Sequence, residues 1–269
     1  MNPAQVLAVV LGSGVGVILA LTGAGGGSLA VPLLMFSFGM PLTLAAPMSL
    51  LAVTVAAAVG AVLGLRQRIV RYRAASLLAG CGLVTAPLGL WAAQRVPNEP
   101  LSILFGLLLG YVSLRMLRRR PAVRAQKPEC VFDPAVGRLR WTLPCARALT
   151  MAGLAAGLLA GSLGVGGGVV LVPALRRFTD LDMKSVTAIS LAAIALISGG
   201  SVWAAASAGL VQWSLALPFT AGAVAGVAGG RRLCALIGDL DLQRVFGLVC
   251  AAVALGLIAK AVTTMMRGS

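Results

Sequence analysis

"TGAGGGSLAVP", Thr22–Pro32, and "GVGGGVVLVP", Gly164–Pro173, each place three adjacent glycines inside sequence that carries no charge. The first lies in a charge-free run of 65 residues, 1–65. Such a run should favour helix, yet each interior glycine weakens a helix by about 1 kcal/mol relative to alanine. Two such triplets mark the two places where helical structure is weakest. Why they stand there decides the reading of the whole chain.

The surroundings are those of a membrane protein. The 269 residues are 59% hydrophobic and 11% charged, too apolar for a soluble domain. Further charge-free runs cover 74–94, 100–114, 148–175, 185–230 and 245–259, and a membrane helix needs about 20 apolar residues. Residues 1–22 have no basic residue ahead of their apolar run, so they read as a membrane segment rather than a signal peptide. The net charge of +15 could point to nucleic acid. However, the basic residues lie mostly at segment ends, where they orient a chain in the bilayer. Lipid is the expected partner, and nucleic acid is not.

Sliding the chain by 141 residues aligns the two glycine stretches, with seven of twelve positions identical between 23–34 and 164–175. The register then holds: Gly12 and Gly16 meet Gly153 and Gly157, Ser49 meets Ser190, Ile69 meets Leu210, Gly89 meets Gly230 and Phe105 meets Phe246. Two homologous halves follow. Residues 1–117 form a first membrane repeat, 118–146 a basic cytoplasmic linker, and 147–269 a second repeat. Each half holds five apolar pieces: 5–22, 25–38, 42–65, 74–95 and 100–117, then 147–163, 166–178, 183–207, 212–235 and 242–262. A piece of 14 residues rises only about 21 Å against a hydrocarbon core of about 30 Å, so the first two pieces of each half are doubtful spans.

Orientation follows from the arginines and lysines. With the halves inverted, 19 basic residues fall inside and 3 outside; with the halves parallel, the split is 15 to 7. Inversion agrees better with the positive-inside bias. It requires an odd number of crossings per half, so the first two pieces enter and return. The expected fold is an all-α integral membrane protein of two inverted repeats, with discontinuous or re-entrant first helices and about eight transmembrane segments.

At a break deep in the bilayer, non-helical backbone is tolerated only when buried in protein or lining a wet cavity. The second piece of each half begins there with unpaired N–H groups and a partial positive charge, which suits an anion. Glycine lets a ligand approach the backbone, and paired broken helices near the midplane characterise secondary transporters. Gly25, Gly26 and Gly27 with Gly166, Gly167 and Gly168 are therefore the candidate substrate-binding residues, and the triplets should face a cavity. Close helix packing is the competing explanation, and it is preferred for the GxxxG pairs Gly12/Gly16 and Gly153/Gly157. Ser49 and Ser190 reach roughly 10 Å below the surface; they either donate to the anion or bond a helix carbonyl. Thr22 and Ser28 flank only the first break, since Leu163 and Val169 replace them in the second, so an asymmetric contact is expected from the first half. Pro32 and Pro173 are candidate hinges or tolerated kinks.

Other chemistry lacks its residues. There is no histidine, and all seven carboxylates fall in predicted loops or at segment ends, so an intramembrane proton relay, a metal site or a hydrolase is not expected. No cofactor is implied. The five cysteines have no CxxC spacing, so neither a zinc site nor a disulfide framework is expected, and small apolar packing is their reading.

The duplicated "GAGGGSLAVPLL" and "GVGGGVVLVPAL", the "SL" at Ser49 and Ser190, "GLVQW" at Gly209–Trp213 and the late "FG" pairs resemble the sulfite exporter TauE/SafE family of membrane transporters. The resemblance covers nearly the whole chain. It implies export of a sulfur-containing anion, such as sulfite or an organosulfonate, across the cytoplasmic (inner) membrane. In the first half "LRQRIVRY" stands where the second has "SAGLVQW". The sequence leaves substrate, direction, coupling ion and homo-oligomerisation open. A reading from another class is a non-transporting membrane subunit or assembly partner.

Overall fold

The computed structural model describes residues 3–22, 26–67, 69–117, 130, 132–133, 138–139, 142–233, 247–259 and 263. In chain order the helices are α1 (Pro3–Thr22), α2 (Gly26–Phe38), α3 (Leu42–Arg66), α4 (Tyr72–Arg95), α5 (Asn98–Leu117), α6 (Leu143–Leu163), α7 (Gly168–Phe178), α8 (Met183–Ser207) and α9 (Trp213–Leu233). A tenth, α10, covers Gly247–Ala259. Their limits follow the apolar pieces of the sequence to within a few residues. The exception is α6, which begins inside the expected linker because Thr142 caps it, accepting the Cys145 N–H, with a proline in its first turn. A two-strand hairpin, Phe132–Asp133 with Arg138–Leu139, precedes it.

Among the described residues six helices, α1, α3, α4, α6, α8 and α9, are long and apolar enough to cross a membrane. For α1 and α6 this corrects the expectation that the first pieces are doubtful spans, since their 20 and 21 residues rise about 30 Å. By contrast, α2 and α7, with 13 and 11 residues, rise only about 20 and 16 Å. The polarity is that of a bilayer protein: Val84, Leu88 and Trp91 lie on one exposed apolar stripe of α4, as a lipid-facing surface requires. Burial grades inward, from 28% of the apolar window of α1 to 72% of that of α8. Helices α3 and α8 therefore form the centre.

The halves are interlocked rather than side by side. α1 packs on α9, α6 packs on α4, and α3 crosses α8. Glycines make the first two seams close enough for backbone contact. A Cβ at Gly12 or Gly16 would collide with the carbonyls of Phe219 and Ala223, and one at Gly222 or Gly226 with those of Val9 and Ser13. On the other seam, Gly153, Gly157 and Gly161 abut Leu78, Gly82 and Ala86. The packing role expected for the GxxxG pairs is the one they have.

One cysteine expectation is corrected. Cys130 and Cys145 form a disulfide, 15 residues apart, with both residues fully buried. The Cys130 N–H also donates to the Phe178 carbonyl at 2.9 Å. The strand-like pairing of Cys130 with Thr179 ties the segment before α6 to the end of α7. Sequence spacing could not show this, because the pair is brought together by the return of α7 beside the start of α6.

Candidate functional site

The second break is a short left-handed passage. Gly164 ends α6 with φ +72°, and its N–H bonds Ala160 O at 3.0 Å. Gly166 and Gly167 follow at φ +72° and +73°, a backbone region costing other residues about 1–2 kcal/mol each. Gly167 is the N-cap of α7, and its carbonyl receives the first helical N–H groups, those of Val170 and Leu171, at 3.1 Å. The amides ahead of these have no helical acceptor. Gly168 opens α7 and is buried.

In the first half, α1 ends at Thr22 and α2 begins at Gly26. Gly25 lies outside the described residues, as does the side chain of Thr22. Gly26 and Gly27 are buried at the start of α2. A Cβ on Gly26 would sit 2.6 Å from Leu19 Cβ, and one on Gly27 only 2.6 Å from the Val165 carbonyl oxygen. The start of α2 thus touches the second break directly. Gly164 abuts Ala46, Gly166 abuts Val53 and Ile194, and Gly167 abuts Ala156. Both broken regions converge where α3 crosses α8.

Among the polar candidates, Ser49 donates to the Gly164 carbonyl at 3.2 Å, so a first-half helix holds the second-half break. Ser190 instead bonds Thr187 O in its own helix at 3.0 Å. Ser28 is buried and hydrogen-bonds Cys250 of α10. Pro32 and Pro173 both lie within continuous helices. A residue that sequence reasoning passed over also belongs to this region. Ser198 of α8 is fully buried, its Oγ has no hydrogen-bond partner, and it lies 3.3 Å from the position of a Cβ on Gly166. The only signal available was its place two turns beyond Ser190, with Ala57 at the corresponding position of the first half.

A cavity of about 60 Å³ lies beside this convergence, lined by Leu19 and Ala20 of α1, Ala56 and Gly60 of α3, Thr187 and Leu191 of α8, and Val227 of α9. Leu19, on which Gly26 packs, is therefore a wall shared by the cavity and the start of α2. The described triplet glycines themselves are packed against backbone and apolar side chains. The cavity is large enough for water and draws its walls from both halves.

Residues 8–257 match the family described as "Sulfite exporter TauE/SafE". A "Probable membrane transporter protein" of Xylella fastidiosa (strain Temecula1 / ATCC 700964) is 34% identical over 262 residues, covering 94% of this chain and 95% of that protein. Its counterpart in strain 9a5c is 32% identical over 260 residues, with the same coverage. The "Probable membrane transporter protein MamO" of Paramagnetospirillum magneticum (strain ATCC 700264 / AMB-1) is 26% identical over 264 residues, covering 88% of this chain but 41% of MamO.

Proposed function

The chain belongs to the sulfite exporter TauE/SafE family of multi-pass membrane transporters, and from that premise we propose that it moves a small sulfur-containing anion, sulfite or an organosulfonate, outward across the cytoplasmic membrane. The observation that carries this reading is the meeting of the two breaks: Gly27 at the start of α2 against Val165 just ahead of α7. Two helix N-termini near one buried point place unpaired amides and two positive dipole ends where an anion can be held.

Two inverted repeats, 1–117 and 147–269 joined by a cytoplasmic linker, supply the working parts. The exchange of partners between halves supports this: α1 on α9 is matched by α6 on α4, and α4 on α8 by α3 on α9. The large aromatics agree with the inverted orientation. It puts the end of α4, the end of α8 and the start of α9 on one side, where Trp91, Trp203 and Trp213 are exposed as interfacial anchors. Trp91 also carries Arg95 at 3.8 Å from its ring centroid. Alternating access is then a rocking of one half against the other about the α3–α8 crossing.

Purified protein in liposomes tests the reading. Flux is expected with at least one of sulfite, thiosulfate or sulfoacetate, and flux with a small carboxylate alone would overturn the sulfur-anion reading. Gly26→Leu and Gly167→Leu should abolish it in protein that still reaches the membrane. Full flux in both variants overturns the proposed site. Silence of the wild type across all these anions would favour a non-transporting subunit.

A further inference from the structure

We propose that Ser198 contacts the transported anion: its hydroxyl donates to an oxygen of a small oxyanion held at the bare amide end of α7. This rests on the transport reading above and names the side chain and the half that carry it.

Three observations converge. First, most buried hydroxyls among the described residues spend their proton on a carbonyl. Thr85 bonds Leu154 O, Ser113 bonds Gly247 O, Thr179 bonds Leu175 O and Thr220 bonds Ala216 O. Ser201, one turn beyond Ser198, bonds Ile197 O at 3.1 Å. Among the described residues Ser198 is the one hydroxyl whose oxygen is itself buried and has no partner. A buried unsatisfied hydroxyl costs about 1–3 kcal/mol, and the bond its neighbour makes to its own helix is not made by Ser198.

Second, the hydroxyl stands over Gly166, at 3.3 Å from where a Cβ would be. Any side chain at 166 would cover it, whereas glycine leaves it bare. Third, Gly166 immediately precedes Gly167, the N-cap of an 11-residue helix, so the hydroxyl stands beside the residue that leads into the helix's unpaired amides. Together they offer an oxyanion several neutral donors converging from two elements, one from α8 and the rest from the break. Val53 and Ile194 close over the same spot, so the seat is shut in this conformation and admits a ligand when α3 moves off the break.

At the position 141 residues earlier the first half has Ala57, and Ser28 is engaged with Cys250. This contact is additional to those expected from Thr22, whose side chain lies outside the described residues, and Ser28.

The test uses full-length protein, sulfite as probe, and two readouts. In proteoliposomes, Ser198→Ala should raise KM for sulfite by about five-fold, the loss of one net hydrogen bond, with kcat little changed, and Ser198→Thr should recover most of the affinity. In thermal unfolding, Ser198→Ala without ligand should be as stable as wild type or more so, while the stabilisation by sulfite falls. A merely structural serine would show the reverse, with lower stability and an unchanged sulfite response. Wild-type KM and sulfite response in Ser198→Ala overturn the proposal. If Gly167→Leu still abolishes flux, the transport site survives that failure; if wild type neither carries nor is stabilised by sulfite, the Ser198 contact to sulfite falls, while the transport reading falls only on silence across all the anions named above. Should the alanine variant not fold, Ser198→Cys, nearly isosteric and a weaker donor, decides by the same two measurements.

Discussion

The two breaks align in sequence and are built differently. At the second, Gly164, Gly166 and Gly167 adopt left-handed backbone, Ser49 holds the Gly164 carbonyl, and Ser198 lies bare beside Gly166. A disulfide also ties the base of the α6–α7 hairpin to the preceding segment. At the first, the described glycines Gly26 and Gly27 are helical, Ser190 is satisfied within α8, and Ala57 replaces the bare hydroxyl. Both halves share the backbone device, two helix starts near one interior point, while the side chains around it differ. The polar contacts gather at the second break, with Ser49 from the first half and Ser198 from the second; at the first, the described glycines serve close approach.

That contrast can be attacked through the disulfide first. Closing a loop of 15 residues stabilises by about 3 kcal/mol, so Cys145→Ala should lower the unfolding temperature in detergent more than the loss of any single hydrogen bond or glycine at the breaks. The positive-inside reading puts this bond at the cytoplasmic face, where accessible disulfides are reduced. Both of its residues are fully buried, which shields the sulfurs from thiolate attack. Dithiothreitol should therefore lower stability only after the fold is loosened, and immediate reduction of the native protein would show that the hairpin base is open.

Next in size is the backbone at the break. Gly167→Ala should cost about 1–2 kcal/mol from its left-handed φ alone, with further loss from the Ala156 oxygen 2.9 Å from the new Cβ. Gly14→Ala, in α1 with nothing within 4 Å, should gain a few tenths to about 1 kcal/mol. Thermal unfolding of the pair checks the sign, and equal behaviour would mean that the second break does not hold its left-handed geometry.

The smallest effect separates the two aligned serines. Ser49→Ala removes a bond between halves and should cost about 1 kcal/mol, whereas Ser190→Ala removes only a bond within α8 and should change little. A larger loss at Ser190 would reverse the assignment of polar work to the second break.

Much of this architecture is legible along the chain. Charge-free runs place α1 to α10 because burial in lipid demands apolar helices of a certain length, and the helix limits match. The GxxxG seams are legible for the same reason: small residues at that spacing admit backbone contact. Ser198 was not legible, since one serine in an apolar helix looks like any other until the carbonyl it ignores and the glycine it faces are known. The Cys130–Cys145 pair was hidden likewise, for nothing in its spacing reveals that α7 returns to the start of α6.

What the sequence alone determined is the class of the protein, its duplication and the two weak points in its helices, because hydropathy, charge placement and glycine content are properties of residues taken in order. What only the tertiary structure decided is which hydroxyls are satisfied, which glycines turn left-handed and that the two breaks touch. Those depend on contacts between segments far apart in sequence, such as Ser49 with Gly164, 115 residues apart, which are set by packing and which no local pattern encodes.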